Sequence, residues 1–468
     1  MNTRTVRPSE RNLILRQLVV AVWVLTVVWS PVGTFRNVTL MVSMSVIWEI
    51  LWWQMRALTK GLRISVARLF FIMHVVMVQI GFVAIYVYSQ DARSIAGLYL
   101  GFHVNPSLVV VFFPTAFVVL MLPGVWVASH RRDAPSKRFF VEPLGPVRKR
   151  RMVVLFLLTF VWGVAAFARA GFPVLTAFGG GVSPEAARLD YHYNVGPSVL
   201  FNPSIVSQSY LAVCPFLLLA LWSSSNRRSA ARLLVYVFAG CTLFLVANSL
   251  ERTTPAILAV WFLMATRAAG RRLPKAGLVG GPAVFVLGTL VLHGGSTPLL
   301  TVLKLQVLRR VFVVNSMINY FAIERFGSSL PFQLGTTYSR YFGAIARGGG
   351  GFSHELMTII YPSSLVGTAP VGLIAETWVN FGYLGLLAAP LFGFVARELD
   401  NVLSRRNDST LGHALWAGVA VLIATMSYGA PLSTFFSGGL LFVVATYVIS
   451  APRSVSQTLR PRMSIGSG

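Results

Sequence analysis

An all-α polytopic integral membrane protein is the reading that the 468 residues support, on three observations. Of the chain, 55% is hydrophobic, and the mean hydropathy is +0.69. Charged residues make up 12% of it, about half the share a soluble globular protein carries. Apolar runs of roughly 17–25 residues recur along the whole length, as crossing a hydrocarbon core about 30 Å thick requires. A single transmembrane domain over 1–468 is expected, with no soluble domain and no two-fold internal repeat.

Taken in order, the runs predict about twelve spans, at 14–33, 37–55, 64–88, 107–129, 152–170, 204–223, 233–250, 253–267, 276–293, 380–397, 411–428 and 432–450. The first starts near Leu13 and continues for a full span with no small-residue cleavage pattern, so no cleavable signal peptide is expected. Cys214 and Cys241 both fall inside predicted spans and suggest neither a disulfide nor a metal site.

Net charge is +26, and its distribution explains it. With both termini inside, 29 of the 40 Lys and Arg fall on inner segments, among them the basic loop 131–151, "RRDAPSKRFFVEPLGPVRKRR". That excess is the positive-inside bias of membrane proteins. The basicity is therefore topology, and a nucleic-acid partner is not needed.

The tract from about Leu233 to Thr266 is too long for one span and carries Glu251 and Arg252 at its middle. It reads as two helices joined by a tight turn, with "SLERTT" at the outer membrane–water boundary. A charge there avoids the ~2.5–3.5 kcal/mol that insertion scales assign to one at the bilayer centre.

Two long outer segments remain, at about 171–203 and 294–379, and long connections of this kind are commonly functional. Within the second, "LLTVLKLQVLRRVFVVNSMINYFAIERF" spaces apolar residues helically among charged and amide ones. This predicts a helix on or dipping into the outer interface, or alternatively a further span.

The outward set is rich in arginine: Arg169, Arg188, Arg252, Arg309, Arg310, Arg340 and Arg347. Arginine is always charged and binds phosphate through a planar fork, so several converging at the mouth of a bundle would suit a diphosphate. The competing reading is snorkelling of single arginines to headgroups. Among the acids Glu376 stands out, in "LIAETWVNFGYLG", opening an apolar stretch beside Asn380. A partly desolvated carboxylate suits a general base; a helix-end carboxylate facing water is the alternative. His354, in "GGGGFSHEL", is a reserve base, weighed against a plain linker. Glu49 and His74 lie inside spans two and three, where pairing across helices is favoured over a proton relay. Metal motifs and glycine-rich phosphate loops are absent from the sequence, so no cofactor is expected.

Three stretches together resemble a known family. "RAGFPVLTAFGGGVSPEAARLDY" resembles the Arg-x-Gly-x-Pro-Leu segment, with its following Ala-Arg, of the bacterial oligosaccharide repeat-unit polymerases (O-antigen polymerase, Wzy type). "SLERTTPAILAVWFLMA" is similar to their hairpin arginine followed by Thr-Pro, although Glu251 stands where a small residue is usual. "AETWVNFGYLGLLAAPLFG" resembles their Glu-x-aromatic-x-Asn-Phe-Gly-x-x-Gly segment.

The resemblance covers about 165–400 and implies a metal-independent glycosyltransferase of the bacterial inner membrane. Its substrate would be an undecaprenyl-diphosphate-linked oligosaccharide, and membrane lipids, a chain-length regulator and a flippase would be its partners. It implies Arg169, Arg188 and Arg252 at the diphosphate or donor sugar, Arg309, Arg310 and Arg340 as weaker candidates, and Glu376 as base with His354 in reserve. An O-antigen ligase uses the same donor but usually carries a histidine where this chain has Glu376. A flippase or solute transporter would show repeated halves, and an envelope scaffold would not need so many outer arginines.

Overall fold

The computed structural model describes residues 35–62, 64–88, 107–130, 146–179, 187, 229–248, 253–268, 315–347, 352–360, 371–405, 410–436 and 439–450. These are helical almost throughout, and the described residues contain no strand beyond one isolated bridge, Phe326 to Leu330. Four helical stretches among them are long and apolar enough to cross a membrane: Val66–Tyr86, Leu108–His130, Arg150–Arg169 and Leu373–Ser404. The chain is a helical membrane protein in this sense. Two compact units can be distinguished in the chain, and each is described by itself.

The first unit comprises Met1–Ala134, Val286–Asn401 and Ile423–Leu432. It opens with α1 (Phe35–Leu58) and α2 (Val66–His74), which continues through a π-helical turn, Val75–Gln79, into α3 (Ile80–Tyr88). Ser65 caps α2, accepting from Arg68 N at 3.3 Å. The buried Asp400 reinforces that cap, accepting from Ser65 Oγ at 2.8 Å and Val66 N at 2.9 Å. Helix N-terminal ends carry unpaired N–H groups and a partial positive charge, which favour a carboxylate there. The π turn leaves carbonyls without their usual helical partners, and Ser316 Oγ donates to one, Met77 O, at 3.0 Å.

Next comes α4 (Leu108–His130), with Pro114 and Pro123 inside it. Hydroxyls bond to backbone carbonyls along this helix. Thr115 Oγ1 donates to Val111 O at 3.0 Å, and Ser129 Oγ reaches both Val125 O and Leu58 O. Gly124 lies directly on the backbone of Pro390, and Gly393 on Met121, so no side chain separates those two helices. Small residues at crossings substitute for the hydrophobic drive that lipid removes.

Eight of the eleven residues of α9 (Asn315–Arg325) are buried, and it packs against α3, α4 and the π turn. Of the stretch expected to form a helix at the outer interface or a further span, residues 315–325 are described; Asn319 is buried among them, and Glu324 is buried beside Arg325 at 3.7 Å. Then follow α10 (Thr336–Arg347), α11 (Phe352–Ile360), α12 (Leu373–Phe381), a 3-10 turn Gly382–Leu387, and α13 (Ala388–Arg405).

The second unit holds α5 (Pro146–Ala170), α6 (Pro173–Gly179), α7 (Ser229–Asn248) and α8 (Thr253–Ala268). The breaks fit the predicted hairpin: α7 ends at Asn248 and α8 starts at Thr253, with Pro255 in its first turn. Residues 249–252 at its tip lie outside the described residues. Phe156 and Phe238 meet edge to face at 4.3 Å between α5 and α7. Beyond α8 come α14 (Thr410–Thr425), α15 (Pro431–Phe436) and α16 (Leu440–Ser450). Trp261 of α8 donates to Ala414 O of α14 at 3.0 Å and lies flat over Gly418, where any larger residue would collide with the ring.

Candidate functional site

The best-defined polar cluster around a candidate base is built on α12, in the first unit. Gly372 caps that helix, and its N–H donates to Asn319 Oδ1 of α9 at 2.7 Å. Leu373 N donates to Met426 O at 2.7 Å, so the helix start is pinned from two sides. Gly372 rests on the Ser427 backbone, with Ser427 C 2.7 Å and Tyr428 Cα 3.0 Å from where a Cβ would stand. Glu376 occupies the first turn, where the exposed N–H groups of the helix favour negative charge.

Glu376 is 7% exposed. Thr337 Oγ1 of α10 donates to its Oε1 at 3.3 Å, while its Oε2 is buried with no hydrogen-bond partner among the described residues. Asn380, one turn further on and 0% exposed, orders this contact. Gly335 N donates to Asn380 Oδ1 at 2.9 Å, which fixes the amide's orientation. Asn380 Nδ2 then donates to Thr337 Oγ1 at 2.8 Å and to Glu376 O at 2.9 Å. The threonine hydroxyl accepts from that amide and has two acceptors in reach of its one proton, Asn380 Oδ1 at 3.1 Å and Glu376 Oε1 at 3.3 Å. Backbone, amide, hydroxyl and carboxylate are thus joined in one hydrogen-bonded cluster. Beside it, burial first and the charge of Glu376 second push the Tyr338 phenol up to about 12.

The "WVNFGYLG" stretch supports this geometry. Trp378 Nε1 donates to Phe326 O at 3.0 Å, and its ring meets Phe113, Phe332 and Tyr383 edge-on at 4.8, 5.7 and 5.0 Å. Gly382 and Gly327 both face the Phe332 ring, and Gly385 faces the Thr377 carbonyl at 2.6 Å. Each glycine is thus a place where another group has replaced a side chain.

The other candidates are distributed as follows. Arg169 lies exposed in the last turn of α5, in the second unit. Gly171, at φ +88°, and Pro173 turn the chain immediately after it into α6, as only glycine does without strain. Arg188, Arg252, Arg309 and Arg310 lie outside the described residues. Arg340 of α10 is exposed and donates through Nη1 to Glu355 Oε2 of α11 at 2.6 Å. His354 falls in α11, and its side chain is outside the described residues. Within the first unit Glu376 is therefore brought together with Thr337, Asn380 and Tyr338, and Arg340 with Glu355.

The expected pairing of Glu49 with His74 is not formed. Glu49 Oε1 accepts from Trp53 of its own helix at 2.9 Å, and neither His74 ring nitrogen is hydrogen-bonded to it. His74 instead stacks on Phe70, with centroids 6.2 Å apart. The described residues contain no cluster of three or more His, Cys, Asp or Glu able to hold a metal ion. Comparison with protein-family models, with curated proteins and with solved structures returns no match.

Proposed function

We propose that the chain is a membrane glycosyltransferase that polymerises undecaprenyl-diphosphate-linked oligosaccharide repeat units into a surface polysaccharide at the periplasmic face of the bacterial inner membrane. In this reading it has about twelve spans with both termini cytoplasmic. The observation that carries it is Glu376: a carboxylate buried at the start of an apolar helix of membrane-spanning length, one oxygen held and the other unpartnered.

The reaction asks little else of the protein. A hydroxyl of the incoming lipid-linked unit loses its proton to the Glu376 carboxylate while its oxygen bonds to the anomeric carbon of the growing chain. The bond from that carbon to the diphosphate oxygen breaks, and undecaprenyl diphosphate leaves with the electron pair. A diphosphate is a good leaving group, so cations that meet its developing charge supply most of the remaining help. Arg169, Arg188 and Arg252 take that role in the proposal. Arg309 and Arg310 are weaker candidates, as is Arg340, whose fork would have to exchange Glu355 for phosphate.

The test is a ladder gel of surface glycan from cells lacking this gene, complemented with wild type, Arg252→Ala or Glu376→Gln at matched membrane levels. Core bearing a single repeat unit in the deletion, a full ladder with wild type and none with either variant is the expected pattern. Bare core in the deletion moves the assignment to a ligase. Full-length chains from the variants remove these residues from the chemistry.

A further inference from the structure

Glu376 is sealed where the proposed reaction needs it open. Its unpartnered oxygen is buried, so an acceptor hydroxyl reaches it only if a neighbouring element moves. Of the elements packed there, α10 is the one attached as a cover would be. The strand of chain before it is anchored firmly: Gln333 N donates to Val379 O and Leu334 N to Asn380 O, both at 2.9 Å. Directly after those anchors, Leu334 at φ +49° and Gly335 at φ +86° turn the backbone through the left-handed region. Leu334 is the one described non-glycine residue held there, a conformation that bulky side chains adopt only under constraint. Beyond the bend, Thr337 of α10 reaches the α12 network through its hydroxyl, which lies within hydrogen-bond distance of both Glu376 and Asn380. The ion pair of Arg340 with Glu355 ties α10 to α11, not to α12.

We infer that α10 is a hinged cover over Glu376, bending at Leu334–Gly335, and that Thr337 is a positioning residue whose hydroxyl holds the carboxyl until an acceptor sugar hydroxyl takes its place. The inference rests on the reading of Glu376 as the base. It has a chemical logic of its own: Thr337 presents to Oε1 the same kind of O–H donor that a sugar would present. When α10 is docked the carboxyl is held and dry. When α10 swings away, the hydroxyl leaves with it and the carboxyl is delivered to substrate, so the base cannot act on water while no acceptor is bound.

The test reads the carboxyl directly, without polymerisation. The full-length protein in detergent is treated with dicyclohexylcarbodiimide, which enters apolar sites, and modification at Glu376 is followed in time by mass spectrometry, with Glu376→Gln as the blank. Thr337→Val removes the hydroxyl and keeps the shape; it should label about fivefold faster, the factor expected from one lost hydrogen bond. Thr337→Ser keeps the hydroxyl and should label as wild type does. Gly335→Ala removes nothing from the network and has space for its methyl, the nearest atom being Phe381 Cζ at 3.9 Å. It strains the docked bend and should also accelerate labelling. Wild-type rates in Thr337→Val, or in Gly335→Ala should the valine variant fail to accumulate, overturn the cover; so does a serine variant that behaves like valine. Labelling as expected, together with full-length polymer from Glu376→Gln, keeps the cover and removes the base, so the two failures are separable.

Discussion

Asn380→Asp changes one atom in size-neutral fashion, and the network makes its cost calculable. The Oδ1 that accepts from Gly335 N at 2.9 Å survives the change. The Nδ2 that donates to Thr337 Oγ1 at 2.8 Å and to Glu376 O at 2.9 Å becomes an oxygen that can only accept. The bond to Glu376 O is lost, and the Thr337 hydroxyl keeps its contact only by turning its proton from Glu376 to the new carboxylate, so two hydrogen bonds, each worth about 0.5–1.5 kcal/mol net, are lost in either case. A second carboxylate also stands beside Glu376 in a buried setting, where like charges repel with little screening. The sum is about 2–4 kcal/mol of destabilisation.

The assay is the melting midpoint of the purified protein in one detergent, read by fluorescence-detected gel filtration. Because the threonine hydroxyl is bonded to the same amide, Asn380→Asp and Thr337→Val should not be additive. The double variant should be less destabilised than the sum of the singles by about 1 kcal/mol. A melting midpoint unchanged in Asn380→Asp, or strict additivity of the two, would refute the chain from Gly335 to Glu376 as drawn.

Other outcomes follow from single contacts. Gly372→Ala puts a methyl against backbone atoms of Ser427 and Tyr428, which cannot rotate away, and should destabilise by about 1–3 kcal/mol on the same melt. Asp400→Ala strips the buried cap from Ser65 and Val66 and should cost about 2–4 kcal/mol, with Asp400→Asn milder. Arg340→Ala should leave the melting midpoint within about 1 °C of wild type, since exposed ion pairs contribute little, so any loss of glycan ladder in it reports on substrate. The Tyr338 phenol, raised in the folded state, favours folding below its unfolded value near 10, and that contribution disappears as pH climbs towards 12. A melt series from pH 9 to 12 should therefore fall less steeply in Tyr338→Phe.

What the sequence makes legible here is whatever depends on local runs. Unbroken apolar stretches predict helices at 37–55, 107–129 and 253–267, and the described helices Phe35–Leu58, Leu108–His130 and Thr253–Ala268 agree with them closely. Glu376 is also legible, because a lone carboxylate at the head of an apolar run is conspicuous. Its surroundings are not. Thr337 and Asn319 reach α12 across 39 and 53 residues of chain, and a threonine or asparagine in a polar loop carries no mark of its eventual partner. The same holds for α9, where Asn319 caps Gly372 and Ser316 bonds to the π turn, partners that periodicity does not announce. The π turn itself falls in "VVMVQ", which contains neither proline nor glycine to announce it.

These particular misses point in one direction. A membrane bundle offers no water to satisfy a polar side chain, so each buried one must find a protein partner, and the partners come from whatever element topology brings alongside. Polar residues in such a chain therefore record tertiary contacts rather than exposure. Asn319 bonds to the cap of one nine-residue helix, Met426 O to its first residue and Thr337 to its carboxylate, while Asn380 within the helix ties Thr337 to it. Three separate segments converge on α12, while its partner face, through Trp378, is fixed by apolar rings. A helix held this way has its carboxylate set by the surrounding bundle and released by one element, α10, that is joined to the rest at a bend. That division of labour, a rigid carrier and a movable hydroxyl, is what the proposed base would need to keep water from it until the proposed sugar acceptor arrives.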